Sequence, residues 1–124
     1  AALMNIHHRK TGALIVFAVL AGALIAGAEP DELDQLALFA THLGLLFQIT
    51  DDLLDVTASA EDLGKTPGKD ERAQKATYVS LFGLERARGL ADAEYEAAIE
   101  SLARIGSDTS LLRSMADHFH ARRA

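Results

Sequence analysis

The sequence predicts an all-α fold of four or five helices and no sheet. Alanine and leucine outnumber valine, isoleucine and threonine, apolar residues recur at helical spacing, and the breaks between periodic stretches are short. Those breaks fall at Glu29-Pro30-Asp31, residues 64–70, Gly83 and residues 106–109. A length of 124 residues suffices for one core and not for two ordinary domains. With 49% hydrophobic and 24% charged residues the chain is globular rather than disordered.

The first helix is expected over about 3–26. Residues 12–28 carry no charge, at the lower edge of the roughly 17–25 residues that cross a bilayer. Their alanine and glycine content and single aromatic, Phe17, fit burial among other helices better, so neither a membrane span nor a signal peptide is expected. Pro30, followed by acidic Asp31 and Glu32, starts a long second helix that should run to about residue 56. At 100° per residue, Gly44, Gln48, Asp51, Asp52 and Asp55 share one arc of roughly 100°, while Leu43, Leu45, Leu46, Phe47, Ile49, Leu53 and Leu54 fill the rest. This helix should be buried on most sides, with one polar stripe facing a cleft.

A surface loop is expected over 58–70, carrying Gly64, Lys65, Pro67, Gly68 and Lys69, followed by a shorter helix over about 72–82. After Gly83, the spacing of Leu84, Ala87, Leu90 or Ala91, Tyr95, Ala98, Ile99, Leu102 and Ile105 predicts a long amphipathic helix with a charged outer face. Asp108 or Thr109 should cap a last helix that turns Leu111, Leu112, Met115 and Phe119 inward and ends at Arg122-Arg123, a favourable charge for a helix C-terminus.

Composition excludes several functions. A net charge of −6 argues against bulk affinity for nucleic acid. The absence of cysteine removes disulfides, thiolate metal sites and thiol catalysis, and fits a reducing cytoplasm. His7 and His8 are adjacent and His118 and His120 two apart, spacings that place neither pair on one helical face for zinc. Gly64-Lys65-Thr66 lacks the earlier glycine of a P-loop, since Ser59 stands at that position.

The chemistry concentrates in Phe47-Gln48-Ile49-Thr50-Asp51-Asp52-Leu53-Leu54-Asp55. Asp51 and Asp55 stand one turn apart, about 6 Å along the axis, with Asp52 about 100° round. Like charges at that spacing destabilise a helix by a few tenths of a kcal/mol. A cation is therefore expected, and oxygen-only ligands suit magnesium or calcium. Magnesium keeps waters and adds phosphate oxygens, so the stripe is half of a site whose other half is a phosphorylated substrate. Lys10, Lys65, Lys69, Arg72 and Lys75 offer the point charges that bind phosphate.

Three pieces in fixed order carry a family resemblance: Ile6-His7-His8-Arg9-Lys10-Thr11-Gly12-Ala13-Leu14, the aspartate segment, and Leu63-Gly64-Lys65-Thr66-Pro67-Gly68-Lys69-Asp70 leading to Lys75-Ala76-Thr77-Tyr78. Together they resemble the C-terminal portion of the trans-prenyltransferases (polyprenyl synthetases), of the bacterial farnesyl diphosphate synthase type. The resemblance implies the C-terminal part of an isoprenoid synthase helical bundle. It implies head-to-tail transfer of a prenyl group from an allylic diphosphate to isopentenyl diphosphate, with Asp51, Asp52 and Asp55 holding Mg2+. Lys10, Lys65 and Lys75 would contact the diphosphate, and Gln48, Thr11 and the Lys10 carbonyl would border the carbocation. A cytoplasmic homodimer is the implied assembly.

The departures matter as well. The family's first aspartate-rich motif and its arginine pair are absent from these residues, and Val79 stands where proline often follows Thr-Tyr. The chain, 1–124, is therefore expected to be a single partial domain of a longer enzyme, inactive alone. A non-catalytic prenyltransferase-like subunit or helical interaction module is the competing expectation. The residues that set product length lie outside this sequence.

Overall fold

The computed structural model describes residues 2–61 and 77–122, with side chains over 9–56 and 77–122. In chain order the described elements are α1 (Ala2–Ile25), α2 (Pro30–Glu61), α3 (Tyr78–Phe82), α4 (Leu84–Ala103) and α5 (Ser110–Ala121), with no strand among the described residues. The fold is all-α, and α2 is its axis: α1 and α4 pack along it, α5 packs on α4 and α2, and α3 lies against both α2 and α4.

Local chemistry explains most boundaries. α1 stops because Gly27 takes a positive φ of 84°. The Gly27 N–H then donates to the Leu24 carbonyl at 3.1 Å and the Ala28 N–H to the Ala23 carbonyl at 3.0 Å, a Schellman closure. α2 opens with Pro30 at its first position, while Glu32 Oε1 accepts the Glu29 N–H at 3.0 Å. Its other end runs five residues past the expected stop at 56, through Glu61, because Ala58, Ala60 and Glu61 are good helix formers and no breaker intervenes. Residues 58–61 of the expected loop are therefore helical, and residues 62–76 lie outside the described part.

Two further expectations are corrected. Of the helix expected over 72–82, residues 72–76 lie outside the described part, and the described helix opens at Tyr78 because Thr77 is extended (φ −119°, ψ 170°) and acts as an N-cap. Thr77 Oγ1 accepts the Ser80 N–H at 3.0 Å, and Ser80 Oγ accepts the Thr77 N–H at 2.8 Å. In α5, Leu111 is 74% exposed and Met115 lies outward as well. The helix instead packs through Leu112, Ala116 and Phe119, and Ala116, fully buried, is the small residue that lets α5 approach closely.

The core is the apolar side of α2 against α4: Leu36, Phe39, Leu43, Leu46, Ile49 and Leu53 meet Ala87, Ala91, Ala98 and Leu102. Large side chains on one helix fill the space over small ones on the other, which brings the axes close. α1 crosses α2 where Gly12 faces Gly44; a Cβ at Gly44 would stand 3.5 Å from the Gly12 Cα. Ile15, Val19, Leu20 and Ala23 continue that contact toward the core. No helix among the described residues is long and apolar enough to cross a membrane.

Candidate functional site

The polar stripe of α2 divides when seen in three dimensions. Gly44 is buried beneath α1, Gln48 and Asp52 are buried further along, Asp55 is half-buried and Asp51 is exposed. The spacing that put these residues on one arc survives, because α2 is continuously helical through all of them. Asp51 and Asp55 therefore keep their one-turn stacking on the outer side of the stripe.

Asp52 has a structural partner that the sequence did not reveal. Its Oδ2 accepts the Tyr78 N–H at 3.0 Å. Tyr78 is the first residue of α3, whose leading N–H groups have no partner within the helix, and a carboxylate is the favoured acceptor there. Asp52 thus fixes the return of the chain at residue 78 against α2. Burial first, then the charges of Asp52 and Glu94, push the Tyr78 phenol above its ordinary range.

One turn before the aspartates, α2 is gripped from the other end of the chain. The Arg122 guanidinium lies over the Phe47 ring at 4.6 Å and the Phe119 ring at 5.3 Å. Its Nη2 donates to Thr50 Oγ1 at 2.9 Å and to the Phe47 carbonyl at 3.3 Å. Thr50 is completely buried, and its hydroxyl lies 2.8 Å from the Leu46 carbonyl and 3.1 Å from that of Phe47. Arg122 Nε is buried without an acceptor. An unpaired buried N–H costs about 1–3 kcal/mol, of the same order as what two cation–π contacts return, about 0.5–2 kcal/mol each. Two hydrogen bonds from the charged Nη2, about 1.5–3 kcal/mol each, add to that return, so the cluster stabilises the α2–α5 contact as well as fixing its geometry.

Sequence reasoning used Arg122 only as a charge at a helix end. A contact across 72 residues leaves no local signature. The same holds where α5 meets α4: His120 Nε2 lies 2.7 Å from Asp92 Oδ1, and its ring stacks on Tyr95 at 4.1 Å. Tyr95 donates its hydroxyl to Asp117, and His42 Nδ1 lies 2.7 Å from Glu94 Oε2, joining α2 to α4.

Of the three basic residues expected to bind the diphosphate, the structure describes Lys10. Lys10 is exposed and makes no hydrogen bond or ion pair among the described residues. The Gly12 Cα lies 3.5 Å from where a Cβ on Gly44 of α2 would stand, and Lys10 stands two residues before it on α1. Thr11 is half-buried beside it. Lys65 and Lys75 lie outside the described residues.

No three His, Asp or Glu side chains among the described residues converge to hold a metal ion by themselves. The donor chemistry nevertheless fits magnesium rather than a softer ion: every candidate on the stripe is a carboxylate or amide oxygen, and magnesium commonly takes only one or two carboxylates, drawing its other ligands from water and phosphate.

Comparison with known proteins gives the family. The family model described as polyprenyl synthetase matches residues 1–113, a span that includes the aspartate segment and all three lysines. A dimethylallyltranstransferase from Fischerella ambigua (strain UTEX 1903) is 48% identical over 122 residues, 98% of this chain and 35% of that protein. Geranylgeranyl pyrophosphate synthase 11, chloroplastic, from Arabidopsis thaliana is 47% identical over 103 residues, 83% of this chain and 29% of its own length. The large subunit 1 of a heterodimeric geranylgeranyl pyrophosphate synthase from the same plant is 45% identical, with 83% and 28% covered. The chain thus spans about a third of the length of these relatives. Their names are of dimethylallyl and geranylgeranyl enzymes, so the farnesyl type expected from sequence widens to the family as a whole.

Proposed function

The chain belongs to the polyprenyl synthetase family, and we propose from that membership that it is the C-terminal part of an enzyme joining an allylic diphosphate to isopentenyl diphosphate. What supports this most is one juxtaposition: stacked carboxylates at Asp51 and Asp55 on α2, beside buried Gln48 and Asp52, within the matched span. Oxygen donors so placed suit a magnesium ion shared with a diphosphate.

In this reading Asp51 and Asp55 hold Mg2+, with Asp52 contributing from a carboxylate that also holds Tyr78. Bound magnesium would supply neutralising charge for the diphosphate as its carbon–oxygen bond breaks. The chain's own residues do the rest. Lys10, Lys65 and Lys75 bind diphosphate oxygens and stabilise the charge that develops there. Gln48, buried on the stripe, and Thr11 present dipoles to the allylic cation, and the polar lining keeps the cation in place until the isopentenyl double bond attacks. The departing diphosphate takes the final proton, so no protein base is required.

Residues 1–124 form one partial domain, inactive alone, with the isopentenyl site and first metal site outside it. Leu14, Phe17 and Leu24, exposed on the face of α1 turned from α2, support its working within a larger body, and a homodimer is the assembly we infer. A reducing compartment, the cytoplasm or a plastid of the kind named for the plant relatives, suits a chain without cysteine. The test is Mg2+-dependent incorporation of labelled isopentenyl diphosphate by the full-length protein, with and without Asp51→Ala.

A further inference from the structure

We propose that Arg122, at the end of α5, is a positioning residue that sets the rotation of α2 at its aspartate turn; the proposal rests on the reading of that turn as a magnesium–diphosphate site. The contact is specific in place. In an α-helix the Phe47 carbonyl accepts the Asp51 N–H, and Arg122 Nη2 approaches the same carbonyl at 3.3 Å. The oxygen thus serves two donors, the backbone of the first aspartate and a cation. Thr50, the residue before Asp51, receives the same Nη2 at 2.9 Å. Its single hydroxyl hydrogen points at either the Leu46 or the Phe47 carbonyl, which leaves its lone pairs for Arg122.

The rings make the grip directional. Phe47 and Phe119 stand 5.3 Å apart with their planes at 55°, and the guanidinium lies against both. A planar, stacked fork fixes an orientation that a lysine ammonium does not. Arg122 is half-buried, and its Nε finds no acceptor among the described residues while Nη2 and the guanidinium plane are both engaged. Orientation of the turn that begins at Asp51 accounts for every contact.

The experiment uses the full-length protein with Arg122→Met, Arg122→Lys and Thr50→Val. Amide hydrogen exchange is followed at residues 51–55 and, as reference, at 36–46, and calorimetry with inorganic pyrophosphate gives the Mg2+ concentration for half-saturation. Arg122→Met is expected to speed exchange at 51–55 by about tenfold, the reference segment by less than about threefold, and to raise the Mg2+ midpoint several-fold. Arg122→Lys should not restore either. Thr50→Val should move both readouts in the same sense, with the double variant no worse than Arg122→Met alone; should Arg122→Met fail to fold, Thr50→Val carries the test. Equal changes in both segments, or in neither, overturn the proposal. Asp51→Ala separates the two readings. If it binds magnesium pyrophosphate like the parent, the site itself is wrong and the Arg122 role falls with it. If it loses binding while Arg122→Met and Thr50→Val behave like the parent, only the role of Arg122 fails.

Discussion

Asp52 is one carboxylate with two assignments, and the two respond differently to substitution. As acceptor for the Tyr78 N–H at 3.0 Å it is 6% exposed, so its loss strands a donor at the start of α3. Asp52→Ala should therefore lower stability by about 1–3 kcal/mol in thermal unfolding. Asp52→Asn keeps a carbonyl oxygen for Tyr78 and should retain most of that stability while losing the charge a metal needs. Equal destabilisation by both would show that the charge, rather than the hydrogen bond, holds residue 78. At this scale the sequence was informative about periodicity and silent about partners. The stacking of Asp51 over Asp55 followed from 3.6 residues per turn alone. The Asp52–Tyr78 bond spans 26 residues and the Arg122–Thr50 bond 72; their closure depends on how helices pack, which no local pattern encodes.

Element boundaries were legible where a residue acts on its own backbone. Pro30 opened α2 and Gly83, at a positive φ of 86°, separates α3 from α4. Thr77 was missed as a cap because Ser80, rather than glutamate, completes its reciprocal box. Thr77→Ala removes the Ser80 N–H acceptor and should cost about 1 kcal/mol, read as a lowered unfolding midpoint. A pH signature belongs to the α4–α5 contact. The hydrogen bond to Asp117, then burial, raise the Tyr95 phenol above its ordinary range. A raised value means the folded state holds the proton more tightly, so this contribution is present below pH of about 10 and is lost as pH rises through the folded value. Tyr95→Phe should flatten the fall of stability above pH 10, leaving the part due to Tyr78. An unchanged alkaline slope would show that Tyr95 is not held by Asp117 in solution.

For the whole molecule, the all-α class followed from composition and spacing, and the central place of α2 followed from its apolar arc. The inward face of α5 did not. Leucine content favoured Leu111 and Met115, whereas close approach to α4 and α2 selects small Ala116 flanked by Leu112 and Phe119. The site was legible as chemistry, since acids in an oily helix require a cation, but only half of it lies on α2. Lys10, exposed on α1, makes no ion pair with the acids among the described residues, so motif order alone did not tell which of these groups touch.

The central claim is that the acids of α2 grip a magnesium diphosphate. It is tested most directly by steady-state condensation of an allylic diphosphate with labelled isopentenyl diphosphate, across a Mg2+ titration, in the full-length protein bearing Asp51→Ala or Asp55→Ala. The account predicts a fall in kcat/KM of about a hundredfold or more for each, equivalent to about 2.7 kcal/mol of lost transition-state stabilisation, with the unfolding midpoint of exposed Asp51→Ala unchanged. Parent-like turnover and Mg2+ dependence in both variants would contradict it.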